Sequence, residues 1–177
     1  AGEVAAILGR DMRPIATELP AHGDAQSVPV HVESKGCSRY IGIAIDGLKN
    51  GKAPEWMRHM LLAAGQRPIN LLVDISNFVM LDVAQPNHLF DRTELKADGI
   101  LVRDAREGET MVTLDGEKRT LSTADMLITS GGEAVALAGV MGGEASKIGE
   151  STTQMLLEVA TFAPAQIRRT SQRLGLR

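Results

Sequence analysis

The sequence predicts an α+β fold, with a mixed, mainly antiparallel β-sheet core and flanking helices. Three observations carry this expectation. From Ile100 onward, short apolar runs are separated by Asp, Gly and Ser at close intervals, as strands joined by tight turns are. Helical spacing of apolar residues follows Pro54, and a second helix is opened by Pro164. Strands and helices do not alternate as βαβ units and no internal repeat is visible, which sets aside a doubly wound parallel sheet and a solenoid.

The elements follow in order. Residues 1–19 are short and moderately helical in composition, with Pro14 and Pro20 limiting any helix. "PAHGDAQS", residues 20–27, is polar and turn-rich, so residues 1–27 read as a segment and linker preceding a main unit at 28–177. Val28, Val30 and Val32 alternate with other residues, and "RYIGIAIDGL" follows with β-branched residues before Gly47, predicting two strands. In "PEWMRHMLLAAG", Met57, Met60, Leu61 and Ala64 share helical spacing and Gly65 can end the helix in the left-handed conformation. The Met and Trp residues there are expected in the core. "ILVRDA", "TMVTLDGEKRTL" with its Asp115-Gly116 turn, "DMLITS" and "AVALAGVMGG" read as strands, and "TTQMLLEVATFAP" as a further strand ended by Pro164.

Bulk properties bound the function. The 177 residues, 44% hydrophobic, suffice for one sizeable core. A formal charge of −3 gives no sign of a basic surface over the whole chain. Cys37 is the single cysteine, so neither a disulfide framework nor a cysteine-based zinc site is available, and a reducing cytoplasm is the expected compartment. No apolar run approaches the roughly 20 residues that cross a bilayer, so no membrane partner is expected.

Four features attract attention. "NLLVDISNFVMLDVAQPNHLFD", residues 70–91, is apolar yet carries Asn77 and ends in Gln85-Pro86-Asn87-His88. Pro86 stiffens the backbone before His88 and Phe90 anchors it after, which sets a polar group beside apolar walls. Asn77, with Asp74 one turn earlier, either caps nearby backbone or meets a ligand. The glycines of "GVMGG", Gly139 to Gly143, lack the Lys-Ser/Thr of a P-loop; they make a tight turn or bulge at a strand end, or let a ligand approach the backbone. Glu158, inside "MLLEVATF", shares a strand face with Leu156 and Ala160, and either faces water or is paired beside a cavity. No Ser-His-Asp, Cys-His or metal-ligand spacing is present.

Together these segments resemble the β subunit of bacterial phenylalanyl-tRNA synthetases, in the editing domain formed by its third and fourth domains. "RYIGIAIDGLK", "APEWMRHMLLAAGQRPINLLVDISNFVMLDVAQPNHLFD", "REGETMVTLDGEKRTL", "ALAGVMGGEASKI" and "LLEVATFAP" stand in that family's order and spacing over residues 38–177. Ala84 replaces the family's usual glycine before Gln85. The resemblance implies hydrolysis of tyrosine wrongly attached to phenylalanine tRNA, with Glu158 reading the tyrosine hydroxyl and His88 as the histidine of the pocket. It also implies pocket roles for Arg67 and Asn77, and a back wall shaped by Gly139 and Gly142. Water, rather than a side chain, is the implied nucleophile. The implied partners are phenylalanine tRNA, tyrosine as ligand, and a synthetase α subunit in an α2β2 assembly. ATP and magnesium belong to the complete synthetase and no cofactor to this part. The family continues past Gly175-Leu176 with a Thr-containing pocket segment and has a histidine where Leu174 stands, so a pocket completed beyond Arg177 is expected. The rival expectation is a non-catalytic scaffold for subunit assembly or tRNA positioning.

Overall fold

The computed structural model describes residues 2–12, 15, 16, 18 and 23–176. The chain runs α1 (Gly2–Leu8), β1 (Val30–Val32), β2 (Cys37–Ile45), α2 (Glu55–Ala63), α3 (Leu71–Val83), β3 (His88–Asp91), β4 (Ile100–Asp104), β5 (Thr110–Val112), β6 (Lys118–Thr120), β7 (Met126–Ser130), β8 (Glu133–Leu137), β9 (Met141–Gly142), β10 (Met155–Phe162) and α4 (Pro164–Leu174). Pro14 and Pro20, with the start of the expected 20–27 linker, lie outside the described residues. The architecture is α+β, as expected.

The strands divide into a five-stranded sheet of order β1-β4-β7-β8-β9, a three-stranded sheet of order β2-β10-β3, and the β5-β6 hairpin. Every pairing is antiparallel except that of β1 with β4. The main core lies between the two larger sheets. Cys37, Phe90 and Leu156 from the smaller sheet meet Ile100, Val102, Met126, Ile128 and Ala136 from the larger. Leu127 and Leu137 point the other way, into a second cluster with Met111, Leu121 and Leu176. Central strand β7 is thus buried on both faces, which is why "MLITS" lacks an apolar-polar alternation.

Helices α2 and α3 form a separate hairpin, joined through Met57, Leu61 and Phe78, with Trp56 edge-on to Phe78 at 5.4 Å between ring centroids. The core expectation for this helix holds for Met57 and fails for Trp56 and Met60, which are 54% and 55% exposed. The i, i+4 stripe of Met57 and Leu61 is the part of α2 buried against α3, while Trp56 reaches Phe78 with one edge from the rim and Met60 sits about 100° from Leu61 around the helix. Asn70 caps α3 by accepting from Val73 N at 3.1 Å, and the buried Asp74 carboxylate accepts from Ile69 N at 2.7 Å. Among the described residues, no helix is long and apolar enough to cross a membrane.

Helix α3 ends at Ala84, whose φ of 57° is left-handed. Ala84 is the one described non-glycine residue with positive φ. For an L-residue this conformation costs about 1–2 kcal/mol, partly offset by the lower chain entropy that alanine has relative to glycine. Ala84→Gly should therefore raise unfolding stability by about 0.5–1 kcal/mol, read as an increased urea midpoint at unchanged slope; a lowered midpoint would contradict the left-handed geometry.

Candidate ligand pocket between the sheets

Strand β10 sets the site. Its residues Leu156, Glu158 and Ala160 share one face. Leu156 is fully buried and lies opposite Phe90, also fully buried. The register this locks places Glu158 opposite His88 on one side and Gly42 on the other. Glu158 is only 5% exposed, so the alternative of a strand face turned to water is excluded. The phenol of Tyr40 donates to its Oε2 at 3.0 Å. Oε1 accepts nothing from the described residues and is not sealed off, since the side chain lines a cavity of about 710 Å³.

The loop before β3 is tied to α3 by a reciprocal pair of hydrogen bonds. Ser76 Oγ on α3 donates to Asn87 Oδ1 at 2.5 Å, and Asn87 Nδ2 donates back to the Ser76 carbonyl at 3.2 Å. His88 is partly buried at the cavity, with its ring edge-on to Phe90 at 4.6 Å, the anchoring expected from the sequence. The opposite wall is the β8-β9 turn. Gly139 has a φ of 66°, and a Cβ there would come within 3.0 Å of Phe162 Cδ2. At Gly142 a Cβ would lie 2.5 Å from His88 Cε1 and 2.7 Å from Nε2, so the imidazole occupies space that only glycine leaves open.

The third wall is α4, which presents Ile167, Arg168 and Ser171. Thr170 Oγ1 fastens this helix to the turn before β7 by donating to the buried Asp125 carboxylate at 2.7 Å, and Arg173 pairs with the same carboxylate. Arg168 is exposed at the cavity.

Of the residues singled out from the sequence, the structure brings Glu158, His88, Gly139 and Gly142 to one cavity. It does not bring the other two. Arg67 is exposed in the α2-α3 connection, and Asn77 is half-buried on α3, one turn before Met80, which does line the cavity. Sequence reasoning missed Tyr40 as Glu158's partner. Its signal was present, for Tyr40 is the single tyrosine and stands in an alternating strand, but strand pairing was needed to connect it to Glu158.

Burial acts oppositely on the two ionisable groups. It pushes the Glu158 carboxyl up to about 7, with the Tyr40 hydrogen bond pulling in the other direction. It lowers His88 to about 4, so its imidazole is neutral at pH 7. Burial, then the Glu158 charge, also raise the Tyr40 phenol, which stays protonated as a donor. The site is therefore built to hold neutral imidazole and phenol around one carboxyl group.

The matches to known proteins fit this architecture. A family model described as the B3/4 domain matches residues 36–177. The chain is 42% identical over 179 residues to the phenylalanine–tRNA ligase beta subunit of Dehalococcoides mccartyi, covering 99% of this chain and 22% of that one. It is 44% identical over 178 residues to the same subunit of Halalkalibacterium halodurans, with 99% and 22% covered. An N-terminal fragment of the phenylalanyl-tRNA synthetase beta subunit from Pyrococcus horikoshii superposes with a TM-score of 0.58 at 15% identity, over 89% of this chain and 52% of that one, a likeness of fold. A cavity between two sheets, walled by β3, β10, a glycine turn and α4, is thus housed in a B3/4-type domain. The chain belongs to the phenylalanine–tRNA ligase beta subunit family, and spans about a fifth of the length of these curated relatives.

The opposed shifts give a stability test. Glu158 has a folded value above its ordinary 4.5, so the folded state holds the extra proton and stability falls as pH rises from 4.5 to about 7. His88 lies below its ordinary 6.5, so the unfolded state holds the extra proton and stability rises from about pH 4 to 6.5. In the wild type the two nearly cancel. Relative to wild type, Glu158→Gln should gain up to about 3 kcal/mol between pH 4.5 and 7, and His88→Gln should lose a similar amount between pH 4 and 6.5. Urea midpoints across that range check both signs; parallel profiles for all three proteins would refute the buried-pair electrostatics.

Proposed function

We propose that this chain carries most of a post-transfer editing site, which hydrolyses tyrosine mis-attached to phenylalanine tRNA. In this reading residues 28–177 are the editing unit and residues 1–27 a segment and linker before it. Phenylalanine tRNA and the synthetase α subunit are partners of the whole protein. One observation supports the reading above the others: a buried carboxyl group, with a single donor among the described residues, lines a mostly apolar cavity that His88, its neighbour in register, also lines.

The chemistry follows from the needs of discrimination. A synthetic pocket that accepts phenylalanine rejects an added hydroxyl by only about a hundredfold, whereas a second site that hydrogen-bonds the hydroxyl disfavours the analogue lacking it. Glu158 Oε1 is the acceptor for the tyrosine phenol, and a phenylalanyl ester leaves it without a donor. A cavity of about 710 Å³ lies within the range that admits a small ligand. Water attacks the ester carbonyl, its oxygen bonds to that carbon as the bond to the terminal ribose oxygen breaks, and the proton that the water gives up passes to the ribose oxygen, leaving free tyrosine and a tRNA hydroxyl. With its value lowered to about 4, His88 is a weak base. Its task is to hold the water or the terminal ribose by a hydrogen bond. Arg67 and Asn77 retain their proposed pocket roles through the bound tRNA end, since neither lines the cavity.

Glu158→Ala in the complete synthetase should reduce the preference for tyrosyl over phenylalanyl ester by roughly one to two orders of magnitude, as loss of a hydrogen bond to a charged acceptor of about 1.5–3 kcal/mol implies. Relative deacylation rates of the two esters check this, and an unchanged ratio removes Glu158 from the role of reader. His88→Ala should slow deacylation of both esters while aminoacylation stays near wild type. Wild-type hydrolysis no faster than the spontaneous rate would favour the scaffold reading.

A further inference from the structure

We infer that Tyr40 is the positioning residue of the specificity carboxylate, its hydroxyl occupying Glu158 Oε2 so that Oε1 is left as the one acceptor facing a ligand phenol. The inference rests on the editing reading above and adds a residue to it. Tyr40 does not line the cavity; it stands behind Glu158 and acts through it.

The geometry is specific. Tyr40 lies opposite Ala160 on β10, and Gly42 lies opposite Glu158, so the phenol reaches the carboxylate along the diagonal of the strand pair. Gly42, opposite Glu158, lies beside this diagonal without deciding it: a Cβ there would meet Tyr40 Cε1 at 3.8 Å, an ordinary contact, and would press only on Leu156 Cδ1, at 3.2 Å. The tyrosine ring is packed against the main core, which fixes where its oxygen falls. A carboxylate offers about four lone-pair directions, and without a fixed donor it would turn about its terminal torsion. One donor of known position removes that freedom. The remaining oxygen then points where a hydroxyl, and not a hydrogen, is rewarded.

The titratable and charged groups around Glu158 are Tyr40 and Cys37 from β2, His88 from β3 and Arg168 across the cavity on α4. Of these, Tyr40 alone contacts the carboxylate with a hydrogen bond among the described residues. Loss of its hydroxyl removes a donor that favours the ionised form, while burial remains.

The test is Tyr40→Phe in the complete synthetase, alone and combined with Glu158→Gln, with deacylation of tyrosyl and phenylalanyl esters of phenylalanine tRNA followed against pH. The single variant should lose about three- to tenfold in tyrosyl-over-phenylalanyl preference. The loss should fall on KM for the tyrosyl ester with kcat nearly unchanged, because the hydroxyl contact is present in ground and transition states alike. The rising limb of kcat/KM against pH should move to higher pH for the tyrosyl ester only. In the Glu158→Gln background the tyrosine change should cost no further discrimination. An active wild type with an unchanged ratio and pH limb in Tyr40→Phe overturns the inference and leaves the editing reading standing. Equal losses on both esters, or the same loss in both backgrounds, make the hydroxyl merely structural and overturn it too. A wild type that hydrolyses neither ester overturns the editing reading, and this inference with it.

Discussion

The placement of a carboxylate on the buried face of β10 constrains the rest of the molecule. An isolated ionised carboxylate in an apolar interior is strongly disfavoured, and in practice it is paired, protonated or given access to solvent. Glu158 uses all three devices: a phenol donor, a proton affinity raised by burial, and a cavity at its second oxygen. None of these survives a change of register. Moving β10 by one residue relative to its neighbours would carry Leu156 out of the core and turn Glu158 to the opposite face. The fully buried Leu156-Phe90 pair is what makes such a slip expensive.

From that register the other walls follow. His88 arrives opposite Glu158 because β3 pairs with β10, and it finds room because position 142 is glycine. Helix α4 closes the third side because Pro164 starts it directly after β10 and the buried Asp125 carboxylate holds its far turns. These polar groups contribute little net stability by themselves. The attraction within such a pair is largely offset by the desolvation cost of the buried Asp125 carboxylate. The stability that carries them comes from the two apolar clusters on either side of β7, a strand buried on both faces.

Glu158 and His88 form a neutral pair in folded protein at mildly acidic pH, whereas in the unfolded chain they form a carboxylate and an imidazolium. Folding thus takes up a proton at one and releases a proton at the other. The near cancellation hides a substantial electrostatic demand from any measurement made on the wild type alone. It also leaves the site with a carboxyl group whose charge responds to what is bound beside it, since a phenol donor and an apolar edge favour opposite protonation states.

Much of the fold was legible in the sequence because local physics dictated it. The Asp115-Gly116 turn with its flanking strands, the helix after Pro54 ended near Gly65, and Pro164 at the first turn of α4 are decisions made within a few residues. Glu158 and His88 could be singled out for a similar reason: each is a polar group in an apolar run, and such a group needs an explanation. What the sequence could not decide was which strands share a sheet. It left open whether Glu158 faced water, placed Trp56 and Met60 in the core, and did not connect Tyr40 to Glu158, because the two are 118 residues apart and meet only through strand pairing. Sequence by itself determined the elements, their turns and the unusual polar residues, since these depend on neighbours along the chain. Tertiary structure alone decided the register of β10, the glycine space for His88 and the phenol behind Glu158, since these depend on which faces are brought together and which atoms exclude one another there.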